Sequence, residues 1–314
     1  MNGQRWIRRA AILLPWALLA LGVWLVWSQV SRPAFLIQAG DVKARVGCLA
    51  LVMTMIVITG GIDLSVGSVL ALASVVMALV WESGYSVGLA AGAGILTGVV
   101  AGIGNGTLVT VGMSPLVATL ATMAFFRGLA VTFAGGDKIT DFDDPGWNLQ
   151  RLAGWPTEYW LLLVLFLTTT LLLHGTRFGR RCFAIGDNPQ AARYAAIPVK
   201  GTQFWLYVAS GLVAGLLAVI YTMRKGANPE AHAGLELEAI ACVVVGGTLI
   251  TGGRGATWLT LLGLAVIASL DLGLELLDSS VGIFKADARL MLIGGLLILV
   301  AIGNQWVFRH QERQ

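Results

Sequence analysis

The chain has 314 residues, of which 57% are hydrophobic and only 12% charged, with a formal net charge of +4 at pH 7. Soluble domains carry about 25% charged residues, so this balance excludes an ordinary soluble protein and indicates a membrane one. The basic residues fall in short clusters beside apolar runs, which is a topology signal and not a nucleic-acid one.

At the N-terminus, Arg5, Arg8 and Arg9 precede an apolar run from Ala10 to Trp27. The run is too long for a usual secretory core and lacks a small-x-small cleavage site, so it reads as an uncleaved first helix. A bilayer core of about 30 Å takes roughly 20 residues per helix, fewer where a helix is interrupted. On that ruler ten spans are expected, at roughly 10–30, 42–60, 64–82, 87–110, 113–134, 158–174, 203–223, 236–250, 256–277 and 286–303. The expected fold is all-α: a polytopic membrane protein with about ten transmembrane helices, short or broken at Gly-rich turns. It forms one transmembrane domain over residues 1–314, and its 40 glycines suit close helix packing.

Orientation follows from the positive residues. Segment 175–202 carries Arg177, Arg180, Arg181, Arg193 and Lys200 against one acid, Asp187, and is expected on the cytoplasmic side. The N-terminal arginines and the tail with Arg309 and Arg313 then share that side, since ten is an even number. Segment 135–157, with Asp137, Asp141, Asp143 and Asp144, falls outside. The outer loop 224–235 holds Arg224 and Lys225, a mild exception.

The stretch with the most chemical information is Gly60-Gly61-Ile62-Asp63-Leu64-Ser65-Val66-Gly67-Ser68. Paired glycines relax the backbone where a membrane helix would otherwise continue. Asp63 places a carboxylate among lipid-soluble residues, and a charge at that depth normally faces protein or water. Asp63 or Ser65 could cap the following helix at a tight turn, or the stretch could line or gate a pathway; the two readings are compatible. Val57-Ile58-Thr59-Gly60-Gly61 is echoed by Ile250-Thr251-Gly252-Gly253-Arg254-Gly255, which suggests two hairpins joined by Gly-rich turns.

Within 175–202, Asn188 or Asp187 followed by Pro189 is a helix start, Gln190 to Ala196 a short helix, and Pro198 its stop. Such a knob suits a cytoplasmic partner, although an amphipathic connector lying on headgroups would look the same. Glu236 and Glu238 come after the outer loop and either cap the eighth span or face the outside. Asp271 and Glu275, four apart, share one helix face that lines a polar vestibule or is simply solvated. Arg127 is the deepest cation, pairing with an acid or snorkelling. Asn105 and Ser114-Pro115 suggest polar, bent helices near the cytoplasmic side, and Cys48, Cys182 and Cys242 have no metal spacing and read as packing residues.

Three motifs carry a resemblance. They are Gly60 to Ser68, the run Phe178-Gly179-Arg180 through Ile185-Gly186-Asp187-Asn188-Pro189-Gln190-Ala191-Ala192-Arg193, and Leu235 to Ala241 with Val245-Gly246-Gly247-Thr248. In this order they resemble the ribose-type sugar permeases, the membrane subunits of bacterial ABC importers for simple sugars. The resemblance implies a pathway built by two permease chains, identical or paralogous, in the bacterial inner membrane with both termini cytoplasmic. It also implies a cytoplasmic ATP-binding subunit, which would hold ATP and magnesium, and a periplasmic sugar-binding protein. Gly60, Gly61, Asp63, Ser65 and Gly67 would then form the pathway turn. Gly186, Asp187, Asn188, Pro189, Ala192 and Arg193 would couple to the ATPase, and Glu236, Glu238, Asp271 and Glu275 would edge an outer vestibule. Asp187 stands where the family often has a small residue. Ala196 stands where a Gly-Ile pair is common, and alanine there should favour a longer helix.

The rest of the sequence is consistent with that resemblance. The Gly-x4-Gly-Lys-Ser/Thr phosphate loop is absent, so no cofactor is expected on this chain and ATP would sit on a partner. Neither His-Glu-x-x-His nor Gly-x-Ser-x-Gly occurs, which argues against a membrane enzyme. The remaining alternative is a standalone ion-coupled carrier, for which Asp63, Asp271 and Glu275 are the only candidate coupling acids.

Overall fold

The computed structural model describes residues 33–139 and 151–281, with isolated positions 20, 294 and 295. The expected first and last spans, both termini and Asp141, Asp143 and Asp144 lie outside the described residues. Within them the chain is helical: α1 (Pro33–Ile58), α2 (Val66–Glu82), α3 (Val87–Val111), α4 (Pro115–Phe133), α5 (Thr157–Thr170), α6 (Arg177–Asp187), α7 (Pro189–Tyr194), α8 (Val199–Lys225), α9 (Leu235–Val245) and α10 (Thr257–Val281). A two-residue antiparallel ladder, Arg151–Leu152 with Trp155–Pro156, precedes α5, and one wide π turn, Leu171–Gly175, extends it.

Four of these helices are long and apolar enough to cross a membrane: Val87–Val111, Pro115–Phe133, Thr157–Gly175 and Val199–Lys225. Val66–Glu82 is a shorter apolar helix, and the Thr257–Gly273 part of α10 is apolar as well. Glycine spacing explains how the longest ones meet. Gly94, Gly98, Gly102 and Gly106 recur every four residues, hence along one stripe of α3, and Gly211 and Gly215 do so on α8. A Cβ on Gly102 would lie 2.5 Å from the Tyr207 carbonyl oxygen, and one on Gly106 2.9 Å from that of Phe204. The two backbones therefore run antiparallel in direct contact, as small residues permit in lipid.

α2 packs on α3, α8 and α4, whereas α1 packs on α5, α9, α8 and α10. The two helices flanking the first glycine turn thus go to different neighbours, and the expected first hairpin does not form. The second does: α9 and α10 lie against each other, and a Cβ on Gly263 would collide with the Cys242 carbonyl.

Two expectations on 175–202 are corrected. Residues 177–187, expected as loop, form α6, because the Thr176 hydroxyl caps it by accepting from the Phe178 and Gly179 amides at 3.1 and 3.4 Å. α7 stops at Tyr194 instead of reaching Ala196, which turns into the left-handed region at φ 57°. Alanine at 196 therefore does not lengthen the helix.

Candidate functional site

Between α1 and α2, residues 61–65 run as non-helical chain. Irregular backbone inside a helical bundle must find partners for its polar groups. The Gly60 and Gly61 amides donate back to Val57 O (2.8 Å) and Ile56 O (3.0 Å). Ile62 O accepts from the Tyr207 and Thr119 hydroxyls, each at 3.3 Å.

Asp63 is the hub of a buried polar knot. Its Oδ1 accepts from the Ser65 amide (3.0 Å) and hydroxyl (2.7 Å), while Oδ2 accepts from the Ser210 hydroxyl at 2.7 Å. Asn105 Nδ2 donates to Ser65 Oγ at 2.7 Å. Asp63, Ser65 and Asn105 are all buried, so the knot ties the non-helical segment to α3 and α8. The capping expectation changes accordingly. Ser65 makes no side-chain bond to the α2 amides, and Asp63 turns toward Ser65 and α8. An acid from another element reaches the first turn of α2: a Cβ on Gly67 would lie 2.5 Å from Glu236 Oε2 and from His232 O. Glu236 Oε1 accepts from the Gly234 amide at 3.1 Å, so this carboxylate sits at the start of α9 and against that of α2, where the helix dipoles favour negative charge.

That contact also sets depth. Ser210 lies roughly 22 Å below Lys225 along α8 at 1.5 Å per residue. Gly67 is four residues past Asp63, within roughly 14 Å of extended chain. The loop after α8, expected to stay outside, therefore returns into the bundle before α9 begins. α2 and α9 start beside each other inside it, the discontinuous-helix pattern of transporters.

Other charges are paired across elements. Lys43 of α1 bridges Glu238 of α9 and Asp271 of α10, the latter at 2.8 Å. These two acids are thus structural clamps between three helices, while Glu275 lies beyond the described side chains. Arg127 donates to Pro229 O (2.8 Å) and Ala231 O (2.6 Å), holding the returning loop against α4. Arg224, the exception in the charge pattern, pairs with the buried Glu158 at 2.6 Å. Lys43 and Ser210 carry no signal in the sequence because each acts only through long-range partners.

α6 and α7 form the second candidate region. Asn188 Oδ1 caps α7 by accepting from the Gln190 and Ala191 amides, both at 3.0 Å, with Pro189 in the first turn. Ala192 is buried with Ile185 and Val199, anchoring the knob, whereas Asp187, Asn188, Pro189, Arg193 and Tyr194 are exposed. Tyr194 is 93% exposed, an aromatic that no sequence motif singles out. Cys182 packs inward, and burial pushes its thiol up to about 12.

The structure does not bring the candidates together into one centre. It places Gly60 to Gly67 in the bundle, Glu236 beside the start of α2, and Asp187 to Arg193 on an exposed knob. Among the described residues no cluster of three or more His, Cys, Asp or Glu could hold a metal.

Crossing helices, discontinuous ones among them, define a multi-pass membrane permease. Residues 44–301 match the family described as branched-chain amino acid transport system / permease component, and the chain belongs to it. It is 40% identical to the ribose import permease protein RbsC of Bacillus subtilis (strain 168) across 82% of this chain and 80% of that one. The same-named protein of Escherichia coli (strain K12) is 33% identical across 96% of both chains. The autoinducer 2 import system permease protein LsrD of Yersinia enterocolitica is 34% identical across 82% of this chain and 80% of its own. No solved structure matches the chain.

Proposed function

We infer that the chain is the transmembrane subunit of an ATP-driven bacterial importer and forms half of a dimeric pathway for a monosaccharide. The observation carrying this is the near full-length match to ribose import permeases. It favours the importer over a standalone ion-coupled carrier. Two of the three acids such a carrier would have offered add to that preference, since Asp271 is ion-paired and Asp63 is engaged by hydroxyls.

The remaining assignments rest on the same reading. The protein sits in the inner membrane with both termini cytoplasmic. An ATP-binding subunit holding ATP and magnesium docks on the 175–202 loop, where Asp187, Asn188, Pro189 and Arg193 present a rigid exposed knob pinned by Gly186 and Ala192. A periplasmic sugar-binding protein delivers from the opposite face. Gly60, Gly61, Asp63, Ser65 and Gly67 shape the pathway between α2 and the returning loop.

The test is uptake into vesicles holding the permease with its ATPase, supplied with the binding protein. ATP-dependent sugar accumulation is expected, and uptake that follows an ion gradient and ignores ATP refutes the importer reading. Arg193→Glu reverses a charge on the knob and should weaken ATPase association about tenfold, read by co-purification and uptake. If that variant behaves as wild type, the docking assignment fails and the importer reading stands.

A further inference from the structure

At the inner end of the bundle three separate segments meet through backbone alone. The Gly253 amide donates to Ile58 O at 2.9 Å. A Cβ on Gly186 would collide with Ile58 O and Gly253 N. One on Gly252 would lie 3.0 Å from Gly60 N and Ile58 O, and one on Gly253 3.2 Å from Asp187 N and Cα. Gly60 and Gly253, at φ 78° and 77°, hold left-handed turns that only glycine adopts without strain. The end of α1, the end of α6 and the turn before α10 are thereby locked into one joint.

We propose that this joint of Gly60, Gly186, Gly252 and Gly253 transmits movement of the α6–α7 knob to the non-helical segment 61–65. This rests on the importer reading and adds the route by which the knob reaches the pathway. Asp187 lies one residue before the cap of α7 and in contact with Gly253, so displacement of α7 reaches the joint within two residues. No side chain stands between the three backbones to absorb a shift by changing rotamer, and close-packed interiors transmit strain. On the far side, Gly60 leads directly into Ile62 and Asp63, whose bonds to Tyr207, Thr119 and Ser210 carry the shift to α4 and α8. α6 has a second backbone contact at its other end, where a Cβ on Gly179 would collide with Leu173 O. It therefore lies as a strut across the ends of α1 and α5.

The experiment compares ATP hydrolysis and sugar uptake in vesicles holding the full transporter. Gly253→Ala inserts a methyl 3.2 Å from the Asp187 backbone and strains a left-handed turn, and Gly186→Ala inserts one where the clash is most severe, against Ile58 O. Gly104→Ala on α3, with nothing within 4 Å of its Cβ, is the control. Expected are near wild-type hydrolysis in Gly253→Ala with uptake per ATP lowered about tenfold, a larger drop in Gly186→Ala, and no change in the control. If Gly186→Ala does not assemble, Gly253→Ala decides. Hydrolysis and uptake falling in proportion, unchanged uptake, or failure of both variants to assemble would each make the joint a folding contact only and overturn the proposal. Uptake by wild type that ignores ATP would instead remove the importer reading, and this inference with it.

Discussion

The two glycine turns, Thr59–Gly61 and Thr251–Gly255, look alike in sequence and touch each other in the fold, yet the chain leaves them in opposite ways. After the second, α10 turns back along α9, because glycines 246 and 263 let the two backbones meet at Leu259 and Cys242. After the first, α2 abandons α1 and joins α3, α4 and α8. The difference lies in the residues just past each glycine pair. Residues 62–65 include an acid and a serine; Ile62 O is met by hydroxyls of α4 and α8 and the Ser65 amide by Asp63, so a non-helical path is satisfied inside the bundle. The segment after Gly255 enters α10 within two residues, which leaves little non-helical backbone to satisfy. A turn motif thus specifies where a helix stops; the polar content after it decides whether the chain folds back or climbs.

The comparison breaks first at Asp63. Asp63→Ala removes the acceptor for three donors and leaves the Ser65 and Ser210 groups buried without it. The cost should be about 3 kcal/mol, with sugar uptake lost and the unfolding midpoint in detergent lowered. Asp63→Asn keeps an acceptor and should recover part of both; an Asp63→Ala protein with normal stability would show that the climb does not depend on the knot. Gly263→Ala attacks the other turn's hairpin through the Cys242 carbonyl, and overpacking of this kind costs about 2 kcal/mol. Its expected signature is lowered stability with uptake per ATP unchanged, since the hairpin folds back on itself outside the climbing segment. A coupling defect there would erase the distinction between the two turns.

Much of this is legible in the sequence, and the gaps share a cause. Apolar length locates α3, α4, α5 and α8 to within a few residues, because a bilayer imposes a length that composition must satisfy. Gly60 to Ser68 announces a break in the helix, and the Asn188-Pro189 pair announces a cap. The hidden features depend on partners far along the chain. Lys43 and Arg45 look like charges at the entry of the span expected from residue 42, yet Lys43 is ion-paired with Glu238 and Asp271, and Arg45 lies over the Tyr221 ring at 4.8 Å. Glu236 reads as a cap of its own helix and reaches the start of α2 as well, which no local window contains. α6 is hidden by Gly179 and Gly186, whose absent side chains serve contacts with other backbones and not flexibility.

The smallest expected effect comes from a residue just past the knob. Ala196 adopts φ 57°, where a Cβ crowds the carbonyl oxygen and costs roughly 1–2 kcal/mol. Glycine removes that strain but gives the unfolded chain more freedom to lose, typically about 0.5–1 kcal/mol. Ala196→Gly should therefore stabilise the protein by a net of about 0.5 kcal/mol, visible as a small rise in the unfolding midpoint. The same turn returns the chain through the Ala196 and Ile197 amides, which donate to Arg193 O and Ala192 O at 3.0 Å each. It is another reversal through left-handed backbone, with alanine in place of glycine. If Ala196→Gly instead loosens the knob and lowers ATPase coupling, the alanine is retained for stiffness at the proposed docking surface, and strain at this turn serves that contact more than the fold.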